Sequence, residues 1–230
     1  ADSITLTAGG GNDSINATAA IEESELSFGD GKDTIDLDGT VKTSFIKAEA
    51  GNDDINVEGA TTSASIYGGA GEDTIVLQAL ATKGVITDAT DKADISLDGG
   101  ATDTTVTTGS GADKVDVAAA AFTTGSITTG DGNDSISITG DFDLLGSTIT
   151  AGGGDDSVVL GGAIKISGTD KSYVYLGSGN DSLTVNTEVD DAIIASSAGE
   201  NYANFNAAFG AVGAGVELTF GGDADTVVLN

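Results

Sequence analysis

Residues 29–37 read GDGKDTIDL, and similar stretches recur along the chain, as GDGNDSISI at 130–138 and GSGNDSLTV at 177–185. Each stretch has a glycine-rich turn, then an aspartate, then aliphatic residues. We call this aspartate the marker, and it returns about every twenty residues. The markers are Asp13, Asp33, Asp53, Asp73, Asp94, Asp113, Asp134, Asp156, Asp181 and Asp225. Self-similarity of this kind is typical of a solenoid, in which each repeat forms one coil that packs against the next.

The residues around each marker predict two short strands per coil. After Asp33, the aliphatic side chains of Ile35 and Leu37 alternate with polar ones, and this period of two indicates a strand with one buried face. An aliphatic residue also lies about seven positions before the marker, as at Leu26. We therefore expect two long parallel sheets that face each other, with ladders of Val, Ile and Leu between them.

The predicted fold class is an all-β parallel solenoid. An antiparallel sandwich is the alternative, but a sandwich has no reason to keep one register through so many consecutive segments. The marker intervals are 20, 20, 20, 21, 19, 21, 22 and 25, followed by a gap of 44 that accommodates two coils. In the hidden coil, Asn201 takes the place of the aspartate, with Gly199 before it and Phe205 after it. Eleven coils are thus expected.

We expect one continuous array over residues 1–230, with a degenerate coil and an enlarged loop near 186–216. Insertions at 140–146 and 161–171 should form loops on the side away from the aspartate turns. The segment 201–216, which carries aromatic residues among alanines, could instead be partly helical or anchor a partner.

Composition excludes several classes of function. The chain contains no Cys and no His, so disulfides, thiolate sites, the usual zinc sites and histidine-based catalytic triads are ruled out. The net charge is −29, from 37 acidic residues and 8 lysines, and such a chain is not expected to bind nucleic acid. No apolar run approaches ~18 residues, so no transmembrane helix or membrane insertion is expected.

The turn before each marker predicts a row of cation sites. Two glycines accept positive φ and permit a tight reversal whose carbonyl groups converge. Successive turns would stack carboxylates ~4.8 Å apart, where like charges repel. A divalent cation relieves this repulsion, and calcium suits it because calcium accepts six to eight oxygen ligands. The alternative is that Asp and Gly merely build solvated turns.

The predicted metal-binding residues are the glycines and aspartates of these turns. They are Gly9, Gly11, Asp13, Gly29, Gly31, Asp33, Gly51, Asp53, Gly69, Gly71, Asp73, Gly109, Gly111, Asp113, Gly130, Gly132, Asp134, Gly152, Gly154, Asp156, Gly177, Gly179, Asp181, Asp223 and Asp225.

Some turns depart from the pattern. Glu49 replaces one glycine before Asp53, and Asp223 replaces one before Asp225. Thr90 and Lys92 replace both glycines before Asp94, so this aspartate is expected to form a salt bridge or cap its own turn instead.

At the turns the sequence resembles the RTX (repeats-in-toxin, haemolysin-type) calcium-binding family, whose nonapeptide is Gly-Gly-x-Gly-x-Asp-x-apolar-x. Residues 9–15 and 177–183 match its core. The resemblance implies a right-handed parallel β-roll with calcium between adjacent turns. It also implies export by a type I secretion system and folding on contact with extracellular calcium. Only one half of each coil keeps the motif here, so we expect a single file of calcium along one edge.

These features favour a structural protein of the cell surface, such as a self-assembling surface-layer subunit or segment. The alternatives are an adhesin stalk and a secretion or folding module of a larger secreted protein. Expected partners are other copies of the chain or flanking sequence, and cell-surface polysaccharide is a further candidate. Because neither end carries a polar cap, the end coils are expected to continue into further sequence or to stack on another subunit.

Two other functions are not expected. An enzyme is disfavoured because the chain lacks Arg and presents no aromatic platform for sugars. Ice binding is disfavoured because the variable turn positions form no rank of threonines.

Overall fold

The structure is a computed structural model that describes residues 3–118, 122–139, 146–162, 164, 171–189, 192–207 and 215–230. These residues form 28 strands and no helix. In chain order the strands are β1 (Thr5–Thr7), β2 (Ser14–Ala17), β3 (Ile21–Glu22), β4 (Glu25–Asp30), β5 (Thr34–Leu37), β6 (Val41–Lys42), β7 (Phe45–Ala50), β8 (Asp54–Val57), β9 (Thr61–Thr62), β10 (Ser65–Ala70), β11 (Asp73–Leu77), β12 (Ala81–Thr82), β13 (Val85–Thr87), β14 (Ala93–Leu97), β15 (Ala101–Thr102), β16 (Thr105–Thr107), β17 (Lys114–Val117), β18 (Phe122–Thr123), β19 (Ser126–Asp131), β20 (Ser135–Ile138), β21 (Thr148–Gly153), β22 (Ser157–Leu160), β23 (Ser172–Ser178), β24 (Ser182–Val185), β25 (Ala192–Ala198), β26 (Tyr202–Phe205), β27 (Glu217–Thr219) and β28 (Thr226–Leu229).

The strands stack into three parallel sheets. The upstream sheet contains eleven strands, from β1 to β27, which precede the aspartate turns. The downstream sheet contains the eleven strands that follow those turns, from β2 to β28. A third sheet of six two-residue strands, from β3 to β18, joins each of the first six downstream strands to the next upstream strand. This architecture confirms the predicted all-β parallel solenoid.

The two long sheets were predicted, and the short third sheet is an addition to them. Each of its strands turns one side chain inward, as Val41 and Phe122 do, and both are fully buried. A two-residue strand is too short to show an alternating pattern, so no sequence signal for it was available. The insertions expected at 140–146 and 161–171 lie largely outside the described residues.

The register corrects one marker. From β1 to β17, each strand residue pairs with the residue 20 positions later in the chain, and this offset is constant. Asp73 therefore pairs with Ala93, and Thr74 pairs with Asp94. The constant offset keeps Ile75 above Ile95 in the core, and a slip of one position would turn those side chains outward. Asp94 therefore lies on the outer face, where its carboxylate is 3.4 Å from the ammonium of Lys114.

The residues that replace the two turn glycines also change with this register. In the turn of Ala93 they are Ala89 and Asp91, rather than Thr90 and Lys92. Glycine is therefore still missing from both positions of this turn, but Lys92 does not stand at either of them.

The coil lengths vary after β17. The core pairs that show this are Val117 with Ile138, Ile138 with Leu160, Leu160 with Val185 and Phe205 with Leu229. Between them, the pairing of Val185 with Phe205 returns to the earlier offset and confirms the coil in which Asn201 replaces the aspartate. The core residues of this coil, Ala203 and Phe205, are at most 1% exposed.

The core is a narrow apolar interior between the sheets. Each coil contributes an upstream aliphatic residue and two downstream ones, and these side chains form continuous ladders. Leu26, Ile46, Ile66 and Ile86 form one such ladder, and each is at most 1% exposed. A solenoid stabilised in this way depends on contacts between neighbouring coils.

Candidate functional site: the aspartate turns

The glycines of the turns are required by the close packing of successive coils. Gly31 has a φ of +146°, which L-residues with a side chain rarely adopt. A Cβ atom at Gly31 would lie 2.0 Å from the carbonyl oxygen of Gly11 in the preceding coil. A Cβ atom at Gly51, Gly71 or Gly132 would likewise lie against the carbonyl oxygen of the glycine in the preceding coil. The Gly-x-Gly spacing therefore has a backbone cause that is independent of any ligand.

The marker carboxylates form a ladder across the coils. In each pair, one oxygen (Oδ1) accepts a hydrogen bond from the backbone N–H at the marker position of the preceding coil, as in the 2.7 Å bond from Asp13 to Asp33. Equivalent bonds of 2.7 to 3.0 Å reach Asp53, Asp73, Asp113, Asp134, Asp156, Asp181 and Asn201. The markers from Asp33 to Asp181 are at most 2% exposed. The marker thus fixes the register of the turn through its first oxygen.

The second carboxylate oxygen, Oδ2, has no such partner. It is buried without a hydrogen bond in Asp13, Asp33, Asp53, Asp73, Asp113, Asp134, Asp156 and Asp181. Buried polar atoms in proteins are almost always paired, and an unpaired charged oxygen is costly. Eight such atoms at one repeated position form a file of buried oxygens without a hydrogen-bond partner.

The electrostatics of the file follow from this burial. Loss of hydration, reinforced by the charges of neighbouring aspartates, raises the pKa of Asp53 to about 6 and that of Asp156 to about 7. The backbone N–H that reaches each carboxylate opposes this shift. Burial also raises the pKa values of Asp73, Asp134 and Asp181. The carboxylates are therefore poorly accommodated as bare anions.

Asn201 shows which kind of group finds hydrogen-bond partners at the marker position. Its Oδ1 keeps the ladder bond from Asp181, while its Nδ2 stands where the other coils have Oδ2. This amide nitrogen donates to Ser196 Oγ at 2.6 Å, to the carbonyl of Gly199 at 3.0 Å and to Asp225 Oδ1 at 2.9 Å. One positively polarised group is thus surrounded by three oxygens. The donor set of the file is made of oxygen atoms only, which fits a hard cation such as calcium.

The departures from the turn motif differ in their consequences. Glu49 occupies a glycine position with a φ of +86°, and its side chain accepts a hydrogen bond from Ser27 Oγ. Asp223 Oδ2 accepts a 2.9 Å bond from the backbone N–H of Gly199, so it caps the preceding turn. Neither carboxylate joins the buried file. Of the residues predicted to bind metal, the buried marker aspartates are the ones whose second oxygen is left without a partner.

Sequence reasoning missed Asp88. The residue lies two positions after the upstream core residue Ile86, in an inward row that is otherwise apolar or small. It is 1% exposed, and both of its carboxylate oxygens lack a hydrogen bond. Burial and the charge of Asp73 raise its pKa to about 7. A charged residue at an inward position of the upstream strand was the available signal.

A second acidic group lies on the outer face of the downstream sheet. Asp36, Asp38 and Glu58 can bring one oxygen each within 4.8 Å of one another. Asp36 already accepts hydrogen bonds from Asn16 and Asn56, at 2.9 and 2.8 Å. Asp36 is partly exposed and the other two are exposed, and exposed acidic groups commonly lie together without an ion.

Comparison with known proteins gives no relative. No protein-family model, no curated protein and no solved structure matches the chain. The resemblance to the RTX repeat therefore stays a prediction. Among the described residues, no helix has the length and apolarity needed to cross a membrane.

Proposed function

We propose that the chain is a calcium-stabilised structural protein of the cell exterior, in which the aspartate turns bind calcium ions along one edge of the solenoid. The observation that carries this proposal is the file of eight buried Oδ2 atoms without partners. In water each carboxylate would be hydrated, but folding removes that hydration. Bound cations would return the lost interaction, so their binding free energy becomes folding free energy.

The charge of the whole chain supports the same proposal. A net charge of −29 over 230 residues opposes compaction by self-repulsion. Divalent cations lower this charge where it is most concentrated, in the buried file. The markers sit at equivalent positions in consecutive coils, so ions bound there would tie each coil to the next.

The proposed biological role is that of a surface-layer subunit or segment that assembles with other copies in calcium. The varied coil lengths after β17 support it, because a lattice protein needs distinct loops for distinct neighbours. An adhesin stalk is the second candidate. The constant strand offset from β1 to β17 favours it, because regular coils are suited to extension.

Calcium-dependent folding is tested by circular dichroism of the purified chain in excess calcium, excess magnesium and excess chelator. The expected result is a β spectrum in calcium that is lost in chelator, because bare carboxylates would have to be buried. An unchanged β spectrum in chelator contradicts the proposal.

A matched pair of substitutions locates the sites. Asp156→Asn removes a buried marker charge and should lower the number of calcium ions bound per chain. Asp155→Asn is the control, because Asp155 is exposed and the equivalent residues Asn133 and Asn180 already make the same turn hydrogen bonds. Equal calcium uptake by the two variants would argue against calcium binding by the file.

Electron microscopy of the purified chain distinguishes the two proposed roles. Calcium-dependent sheets or filaments favour the surface-layer subunit, and dispersed rods favour the adhesin stalk.

A further inference from the structure

The file of marker carboxylates is interrupted at the coil of Ala93, as well as at the coil of Asn201. Ala93 occupies the marker position of its coil, so the turn contributes a methyl group instead of a carboxylate. The backbone N–H of Asp73, which in other coils would donate to the next marker, donates to the carbonyl of Lys92 at 3.1 Å. The ladder resumes in the next coil, where Ala93 N–H donates to Asp113 Oδ1 at 2.8 Å.

The same coil supplies a carboxylate from the opposite wall of the turn. Asp88 belongs to an inward row of the upstream sheet whose neighbouring members are Phe28, Ala48, Gly68, Thr108, Thr129 and Ala151. Asp88 is 1% exposed, and neither carboxylate oxygen has a hydrogen-bond partner. The acidic group absent at position 93 thus appears five residues earlier, on the facing strand.

Asp88 and Asp73 border one small space. Gly68 lies in the row of Asp88, one coil before it, and has no side chain. A Cβ atom there would lie 2.6 Å from Asp73 Oδ2 and 2.9 Å from Asp88 Oδ2. Alanine occupies this row in the preceding coil, at Ala48. Glycine at position 68 therefore leaves open the space between the two carboxylates.

The groups around this space offer no positive charge. The charges that act on Asp88 come from Asp73 and Asp113, and both are negative. The ion pairs formed by the described residues involve Lys47 and Lys114, and none of them includes Asp73 or Asp88. Thr108 directs its hydroxyl to the carbonyl of Thr129 at 2.8 Å, away from Asp88. Asp73 Oδ2 and Asp88 Oδ2 thus border the same space, and Asp88 Oδ1 is likewise buried without a hydrogen-bond partner.

We propose that Asp73 and Asp88 bind one divalent cation of the calcium type inside the solenoid, and that this site replaces the marker carboxylate lost at Ala93. A single shared proton could pair only two of the three oxygens, whereas a hard cation accepts all of them. Asp88 lies outside the turn motif, in the upstream strand row. The site rests on the proposed function in two respects, because Asp73 is also a marker and the ion is the same.

The test is the number of calcium ions bound per chain, measured by equilibrium dialysis and elemental analysis. Asp88→Thr places in this coil the residue that the next coil carries at Thr108. The expected result is the loss of one bound calcium relative to the wild type. Asp103→Asn, an exposed change between β15 and β16, away from the aspartate turns, is the control and should lose none. An unchanged count in Asp88→Thr, as expected for a shared proton, overturns the proposal.

A relocation variant keeps the test decisive if Asp88→Thr folds poorly. Asp88→Thr combined with Ala93→Asp returns the carboxylate to the marker row, where Asp73 N–H can again donate to it. The double variant should regain both the β spectrum and the lost calcium. If the double variant folds but binds no more calcium than Asp88→Thr, Asp88 does not replace the marker carboxylate that is missing at Ala93.

Failure of this site and failure of the file give different results. If Asp156→Asn loses calcium and Asp88→Thr does not, calcium binding by the marker file is supported and the interior site is contradicted. If only Asp88→Thr loses calcium, the interior site is supported and calcium binding by the marker file is contradicted. A wild-type chain that folds and binds no calcium overturns both.

Discussion

Asn201 and the marker aspartates differ by one group, an amide NH₂ in place of a carboxylate oxygen, and that difference decides whether the turn is satisfied by the protein alone. The Asn201 amide has three oxygen partners, including Ser196 Oγ and the carbonyl of Gly199. The equivalent oxygen of Asp181 has none. Among the described residues, protein groups alone satisfy the turn of Asn201, whereas eight markers keep one oxygen without a partner.

The first prediction concerns this residue. Asn201→Asp converts the three donated hydrogen bonds into contacts between oxygens, so the turn should acquire the ion requirement of its neighbours. We expect the variant to need a higher calcium concentration for half-maximal folding, and to bind more calcium at saturation. A calcium titration followed by circular dichroism measures the midpoint. Asn204→Asp, on the partly exposed side of β26, is the control. If the two variants titrate alike, Asn201 does not act as an internal substitute for an ion.

At this scale the sequence predicted most of the file but placed one residue wrongly. Counting from aspartate to aspartate selected Asp94, whereas the aliphatic ladder of Ile75, Ile95 and Val115 keeps a constant offset from coil to coil. Packing of the core sets the register, because a shift of one position would expose the whole strand face. Asp88 was missed because its importance depends on a neighbour in space, Asp73, that lies outside its own turn.

The aspartate turn is the element that holds the two long sheets at a fixed spacing. Its glycines lie in columns, and each carbonyl oxygen in a column lies against the next glycine in the following coil. A Cβ atom at a glycine of these columns would therefore meet the carbonyl oxygen of the preceding coil, although Glu49, Ala89 and Asp91 replace glycine at three positions. Strand alternation and turn glycines were readable from sequence. The six-stranded third sheet was not, because strands of two residues contain no period.

The second prediction concerns the glycine column. Gly31→Ala forces a positive φ on alanine and places Cβ 2.0 Å from the Gly11 carbonyl oxygen, so it should lower the free energy of unfolding by about 2 to 4 kcal/mol. Gly84→Ala is the control, because its nearest atom would be 3.5 Å away and Ala64 occupies that position in the preceding coil. Its effect should stay within about 0.5 kcal/mol. Urea unfolding in saturating calcium compares them, and equal midpoints would contradict the packing argument.

The molecule as a whole is an acidic solenoid in which burial raises the pKa values of several aspartates. Burial raises the pKa of Asp53 from 3.8 to about 6, and those of Asp88 and Asp156 to about 7. In the unfolded chain these groups are hydrated and ionise near their usual values. At pH values between the usual pKa of aspartate and these raised pKa values, the folded state without ions binds more protons than the unfolded state.

The third prediction follows from this difference in proton binding. Without divalent cations, stability should fall as pH rises from about 4 to about 7, because each proton lost leaves a buried bare carboxylate. Calcium should remove or reverse this trend, because it competes with protons for the same oxygens. Urea midpoints measured at several pH values, in cation-free buffer and in calcium, provide the check. A cation-free chain that becomes more stable over this pH range would contradict the assignment of the buried oxygens.

The constant offset from β1 to β17 has a consequence for how such a chain changes in length. In this part every strand keeps the same offset from its partner, in all three sheets. Removal of residues 41–60 would join Thr40 to Thr61, which occupies the same position as Val41 one coil later. The shortened chain would keep each inward and outward side chain in place and lose ~4.8 Å of height. Duplication or deletion of one coil in the gene can therefore lengthen or shorten the protein in whole steps, without redesign of its interior.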